Sequence, residues 1–161
     1  MRLERAAVVL NDAIADLRQN LIELHHSEIA LSDESIEQLF RKLAQNPHYN
    51  TLVNILLDLN LPNDRALSSM RMGHVSAIVN EALANIVRHA NARNVRIQVS
   101  DTDERLQVVV KDNGIGFSPN AQPGYGLRNM RDRSRLLNGE IHFSEPSNKG
   151  TSVTLEIPWM D

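Results

Sequence analysis

Leucines recur at every seventh position at the start of the chain: Leu3, Leu10, Leu17 and Leu24, with Ala7, Ile14 and Leu21 interleaved. This spacing predicts a helix with one apolar stripe, the pattern that pairs helices along a seam. Arg5, Asn11, Asp16 and Gln19 fall on the remaining faces. A repeat this regular suits a bundle seam better than packing against the chain's own globular part.

A second helix is expected from Ser32, which can cap it, with Asp33 and Glu34 placing negative charge in the first turn. Leu39 and Leu43 continue it, and it stops near Asn46 and Pro47, because a proline disfavours helix at the residue before it. Residues 49–59, with Val53, Ile55 and Leu57, read as a strand, and residues 61–64 as a turn. A long helix is predicted over 69–90, its buried stripe being Val75, Ile78, Val79, Ala82 and Ile86. Two alternating strands follow, carrying Val95, Ile97, Val99 and Leu106, Val108, Val110, joined by a short turn at 101–104. Residues 114–124 read as loop, since Pro119, Asn120 and Pro123 break regular structure. A helix over 127–137 ends at Asn138 and Gly139, and two last strands carry Ile141, Phe143 and Val153, Leu155, Ile157. This order predicts an α+β fold, a mixed sheet covered by helices on one face.

Composition narrows the function. A chain of 161 residues fits one domain and an appendage, with 42% hydrophobic and 23% charged residues, as in an ordinary soluble globular protein. A net charge of -3 gives no general pull toward nucleic acid. The absence of cysteine excludes disulfides and thiolate metal sites. No apolar run approaches the ~20 residues that cross a bilayer, and the charged, periodic N-terminus does not read as a secretory signal. The expected location is cytoplasmic, with no membrane segment in this chain.

Four short segments carry the chemistry: residues 80–90, 112–116, 124–127 and 148–151. Glu81 and Asn85 are four apart and share a helix face. A carboxylate can orient or deprotonate a nucleophile, and a carboxamide oxygen is a hard ligand for Mg²⁺. Arg88 and His89 follow one turn on and suit phosphate oxygens. Asp112 ends a strand and opens Asp-Asn-Gly-Ile-Gly. A buried carboxylate there suits the exocyclic amine of adenine, a donor that guanine lacks at that position; alone, Asp-Asn-Gly more often makes a hairpin turn, but no second strand follows Phe117. Gly114 and Gly116 let backbone approach a purine closely. Gly124, Tyr125, Gly126 and Leu127 open a helix, where free N–H groups and the dipole favour phosphate. Gly150 and Thr151 begin the last strand, and the Thr151 hydroxyl suits a bond to the Asp112 carboxylate or a bridging water. No Gly-x-x-x-x-Gly-Lys-Ser/Thr phosphate loop and no Gly-x-Gly-x-x-Gly dinucleotide fingerprint occurs.

In this order and spacing, the four segments resemble the ATP-binding domain of sensor histidine kinases, within the superfamily that includes gyrase, Hsp90 and MutL. The subgroup most resembled is that of nitrate sensors and DesK, and the resemblance covers nearly the whole chain. It implies that Asn85 holds Mg²⁺ between the phosphates of ATP and that Glu81 polarises the attacking group. It implies an adenine-binding role for Asp112 and a short ATP lid over 117–123. It implies a domain division with residues 1–28 as part of the second helix of a dimerisation hairpin and 29–161 as the catalytic domain. The subgroup's phosphoacceptor histidine lies in a Leu-His-Asp context that nothing here matches. His25 and His26 sit at the wrong end of the wrong helix. The implied activity is γ-phosphoryl donation to a histidine outside this chain, for relay to a response-regulator aspartate. The implied partners are that regulator, the parent kinase's phosphoacceptor helix, and a second copy paired through the N-terminal helix, with no nucleic acid. An anti-sigma-factor serine kinase shares this pocket, but the heptad helix favours the sensor kinase. A MutL-like clamp would carry longer lids and extra domains.

Overall fold

In the computed structural model the chain divides into two compact units, Met1–Asp33 and Glu34–Asp161. The structure describes residues 14, 17, 34–102, 104–116, 124–144 and 149–160. In the first unit only Ile14 and Leu17 are described, both helical. The remaining heptad positions, with His25 and His26, lie outside the described residues.

The second unit begins with α1, Ile36–Ala44. Its cap is Ser35, not the expected Ser32. The Ser35 hydroxyl accepts from Gln38 N–H and the Gln38 side chain accepts from Ser35 N–H, a reciprocal capping box that typically contributes about 1 kcal/mol. The register buries Ile36, Leu39, Phe40 and Leu43 along one face. A short helix, α2, spans Pro47–Asn50, with Asn46 as cap and Pro47 in its first turn. Asn46 and Pro47 thus end one helix and start another, because a proline that cannot continue a helix suits the first position of the next. The expected strand over 49–59 is accordingly shorter: β1 is Asn54–Asn60.

Helix α3, Ser69–Asn85, starts on the Ser68 cap. All five expected stripe residues, Val75, Ile78, Val79, Ala82 and Ile86, are buried. The helix does not continue as α-helix to Ala90. It widens into a π-helical turn, Ile86–Ala90, which leaves through Asn91 in the left-handed conformation (φ 49°). The hairpin β2 (Asn94–Thr102) and β3 (Arg105–Asp112) follows, with Glu104 left-handed at its turn. Helix α4, Tyr125–Leu136, begins two residues before the expected start, on Gly124. Asn138 is left-handed after it (φ 52°), and Gly139 N–H bonds back to the Ser134 carbonyl at 2.9 Å. Strands β4 (Glu140–Ser144) and β5 (Ser152–Pro158) complete the unit.

The sheet order is β1-β2-β3-β5-β4. β1 and β2 are parallel, and the other neighbours are antiparallel, so the sheet is mixed. Alternation assigns the faces. Val95, Ile97, Val99, Leu106, Val108, Val110, Leu155 and Ile157 are buried with the helices, while Arg96, Gln98 and Lys111 face outward and are exposed. Two polar groups fasten the far end of β5, and periodicity gave no sign of either. Buried Arg71 on α3 donates to the Pro158 carbonyl. Buried Trp159 donates its indole N–H to Asp101 at 2.6 Å. No helix among the described residues is long and apolar enough to cross a membrane.

Two glycines test this packing in opposite directions. A Cβ on Gly139 would lie 2.5 Å from Ile157 Cγ2 and 2.6 Å from the Glu156 carbonyl. Gly139→Ala is expected to destabilise by about 1–3 kcal/mol, as overpacking against backbone does. Gly73 in α3 has nothing within 4 Å of such a Cβ, so Gly73→Ala is expected to stabilise by roughly 0.5–1 kcal/mol through helix propensity. Urea unfolding followed by the fluorescence of the single tryptophan, Trp159, reads both; equal midpoints would contradict this account of the two sites.

Candidate functional site

Asp112 occupies a core position. It continues the inward series Leu106, Val108, Val110 at the end of β3 and is 3% exposed. A carboxylate placed there needs partners, since burying an unpaired charge is costly. The structure supplies them from two loops. Oδ1 accepts from Gly114 N–H at 2.6 Å. Oδ2 accepts from Thr151 N–H at 3.1 Å and from the Thr151 hydroxyl. The Asp112 N–H in turn donates to the Thr151 carbonyl at 3.0 Å. A carboxylate has roughly four acceptor positions, so capacity remains for one more donor.

The glycines make this closeness possible. A Cβ on Gly150 would overlap the Asp112 carbonyl, and Gly150 is left-handed (φ 90°), as is Lys149 before it (φ 74°). A Cβ on Gly114 would overlap the Ala90 carbonyl at the end of the π-turn. That carbonyl accepts from Ile115 N–H at 2.8 Å. The loop after β3 is thereby seated on the end of the α3–π segment. Asn113 secures its other side: Oδ1 accepts from Arg93 N–H at 3.0 Å and Asn94 N–H at 2.9 Å. Its residue type allows this, because an asparagine side chain bonds readily to nearby backbone. Gly116 is left-handed (φ 82°).

Glu81 and Asn85 lie on α3, both half-buried. The start of α4 reaches them: a Cβ on Gly126 would overlap Glu81 Oε1. Gly124 is the N-cap without a side-chain cap bond, Tyr125 is exposed, and Gly126 and Leu127 are half-buried. Arg88 and His89 project from the π-turn and are exposed, while Ile86 and Ala90 of the same turn are buried. So Asp112, Gly114 and Thr151 form one hydrogen-bonded group, Glu81 and Gly126 form a second contact, and the α3–π segment carries Glu81, Asn85, Arg88 and His89 between them. Residues 117–123, the expected lid, and Asn148 lie outside the described residues. His74 approaches Arg133 of α4 at 3.5 Å and His142 approaches Glu140 at 3.5 Å, so each has a neighbour within its own layer.

Tyr49 was not expected at the site. The turn of α2 directs it inward, where it is buried and its hydroxyl lies 3.4 Å from the Asn80 carbonyl. Burial raises its pKa, the Glu81 carboxylate raises it further, and Arg88 opposes them. The Asn46–Pro47 pair is the sequence signal that marks this helical turn.

Known proteins resemble this chain in sequence and in fold. The model of the histidine kinase-, DNA gyrase B- and HSP90-like ATPase family matches residues 72–160, a span that includes Glu81, Asp112, Gly126 and Thr151. The nitrate/nitrite sensor protein NarQ of Escherichia coli (strain K12) is 33% identical over 151 residues, which is 92% of this chain and 26% of that protein. The chain therefore spans about a quarter of the length of this curated relative. Solved structures share the fold. The histidine kinase domain of a blue-light activated histidine kinase from Erythrobacter litoralis matches with a TM-score of 0.66 and 20% identity, over 88% of this chain and 72% of that one. Full-length ShkA in complex with AMPPNP matches with a TM-score of 0.63 and 20% identity, over 91% of this chain and 36% of that one. The chain belongs to the histidine kinase-, DNA gyrase B- and HSP90-like ATPase family, and its fold is that of solved histidine kinase domains.

Proposed function

We propose that this chain is the catalytic part of a two-component sensor histidine kinase, donating the γ-phosphoryl of ATP to a histidine for relay to a response-regulator aspartate. The observation that carries the reading is the buried Asp112 carboxylate, held by Gly114 and Thr151 with acceptor capacity to spare. In this reading that remaining position receives the adenine amine. The likeness to the nitrate/nitrite sensor, and the AMPPNP in the ShkA complex, support the same assignment.

Each other residue then has a task. The N-terminus of α4, capped by Gly124 and running through Tyr125, Gly126 and Leu127, offers N–H groups and a positive dipole end to phosphate. Arg88 and His89 supply positive or hydrogen-bonding groups from the π-turn. The Asn85 carboxamide fits a hard cation as a single protein ligand. Among the described residues no group of three or more His, Asp or Glu is placed to hold a metal, so phosphate oxygens and water would complete the shell. Mg²⁺ bound there neutralises phosphate charge. Glu81, beside Gly126, orients or polarises the attacking imidazole. Residues 1–28 are assigned to a dimerisation hairpin that meets a second copy. The domain is assigned to the cytoplasm, where ATP and a response regulator are available.

Base selectivity is the first test. Calorimetry is expected to show binding of ATP and ADP with Mg²⁺ and none of comparable strength with GTP. Equal affinity for GTP, or no heat with any nucleotide, would remove the adenine assignment. Asp112→Asn replaces an acceptor by a donor facing Gly114 or Thr151, so it is expected to abolish measurable ADP binding and to cost about 1–3 kcal/mol of stability.

Roles on α3 separate by assay. Asn85→Ala is expected to leave the fold intact and remove the Mg²⁺ dependence of ATP binding. Glu81→Gln is expected to keep nucleotide affinity and to lower phosphoryl transfer to an added phosphoacceptor domain by about 10²–10⁴-fold, the usual range for a general base. Transfer at the unaltered rate in the Glu81 variant would show that this carboxylate is an ordinary helix residue.

A further inference from the structure

Among the described residues β1 is hydrogen-bonded to a strand on one side only, since it ends the sheet order. Its inward residues Ile55, Leu57 and Leu59 are only partly buried, whereas Val95, Ile97 and Val99, their register partners on β2, are at most 2% exposed. Leu56, on the other face, is 48% exposed. The strand has neither the lysine nor the proline that commonly blunts a sheet edge. Its one charge, Asp58, is paired with Arg96 at 2.9 Å.

The phase of the open edge is fixed. Asn54 N–H donates across to the Arg93 carbonyl at 2.9 Å. Peptide groups alternate sides along a strand. Asn54, Leu56, Asp58 and Asn60 therefore turn theirs toward β2, and Ile55, Leu57 and Leu59 turn theirs to the open side.

The strand reads Asn-Ile-Leu-Leu-Asp-Leu-Asn, polar at both ends and apolar at its centre in either direction. A second copy laid antiparallel, with a two-fold axis at Leu57, sets Asn54 against Asn60, Ile55 against Leu59, and Leu57 against itself. The open peptide groups of 55, 57 and 59 then meet as hydrogen-bonded pairs, about six backbone bonds in all. No like charges are directly opposed, because Asp58 faces Leu56. A groove of about 510 Å³ lies beside this edge, lined by Arg41, Ala44, Gln45 and Asn50 on one side and Asn54, Ile55 and Leu57 on the other.

We propose that the β1 edge is a self-pairing interface, through which two copies of this chain join their five-stranded sheets into one continuous sheet. The interface is isologous, as a closed dimer requires. The strand that it uses contains none of the residues assigned above to the nucleotide site.

The chain has no cysteine, so single cysteines report position without background. Under oxidised glutathione, Leu57→Cys, on the axis, is expected to give a covalent dimer. Leu52→Cys, 61% exposed but off the strand, is expected to remain monomeric on a non-reducing gel. Hydrogen exchange on the unsubstituted chain supplies the second measurement. Amides of Leu56, Asp58 and Asn60 should be protected at every concentration, and those of Ile55, Leu57 and Leu59 should lose their fast exchange only as protein concentration rises. Pairing through the heptad helix alone would not produce this alternation. Cross-linking equal at both positions, or absent at 57, overturns the proposal. So does exchange at 55, 57 and 59 that stays fast at high concentration, or that is already slow in dilute protein because the edge is covered by its own chain.

Discussion

A single carboxylate, Asp112, ties together the parts of the candidate site. It stands where the alternation of β3 calls for an apolar side chain, and its burial is tolerated because Gly114 and Thr151 donate to it. Removing one of these donors would leave a buried carboxylate oxygen short of a partner, a larger cost than one surface hydrogen bond contributes. The same bonds fix the loop after β3 against the start of β5. The requirement to satisfy one charge thus positions two of the four segments that carry the chemistry.

Close approach positions the remainder. Gly114 lies against the Ala90 carbonyl, Gly150 against the Asp112 carbonyl, and Gly126 against Glu81. Each contact excludes a methyl group, and each joins a different pair of segments. The α3–π segment is the shared member, since it meets the loop after β3 through Ala90 and the start of α4 through Glu81. Its π-turn lets Ile86 and Ala90 stay in the core while Arg88 and His89 face out, a local irregularity of the kind found at functional sites. Asn113 and Tyr49 support this arrangement from outside, one by holding backbone near Arg93 and Asn94, the other by bracing the Asn80 turn. In the proposed reading, these supports keep the adenine end and the phosphate end of the site at a fixed separation.

The sequence by itself determined the α+β order, the inward faces of β2, β3 and β5, and the stripe of α3, and it singled out the four segments of the candidate site. Period and residue type encode the elements locally, since alternating valines can bury only one face; the four segments stood out only by their joint order and spacing, because a strand-ending Asp-Asn-Gly alone is as readily a hairpin turn. Helix starts were less legible. Ser32 and Ser35 are chemically equal caps, and only the packing of Ile36, Leu39, Phe40 and Leu43 selected Ser35. Asn46 and Pro47 marked a stop, but the helical turn that follows is held by Tyr49 entering the core. The π-turn, the Asn113 clasp, and the burial of Arg71 and Trp159 were decided by the tertiary structure alone. Each rests on a backbone carbonyl, an amide or a distant side chain that becomes a partner only after folding, and no local pattern records which partner that will be.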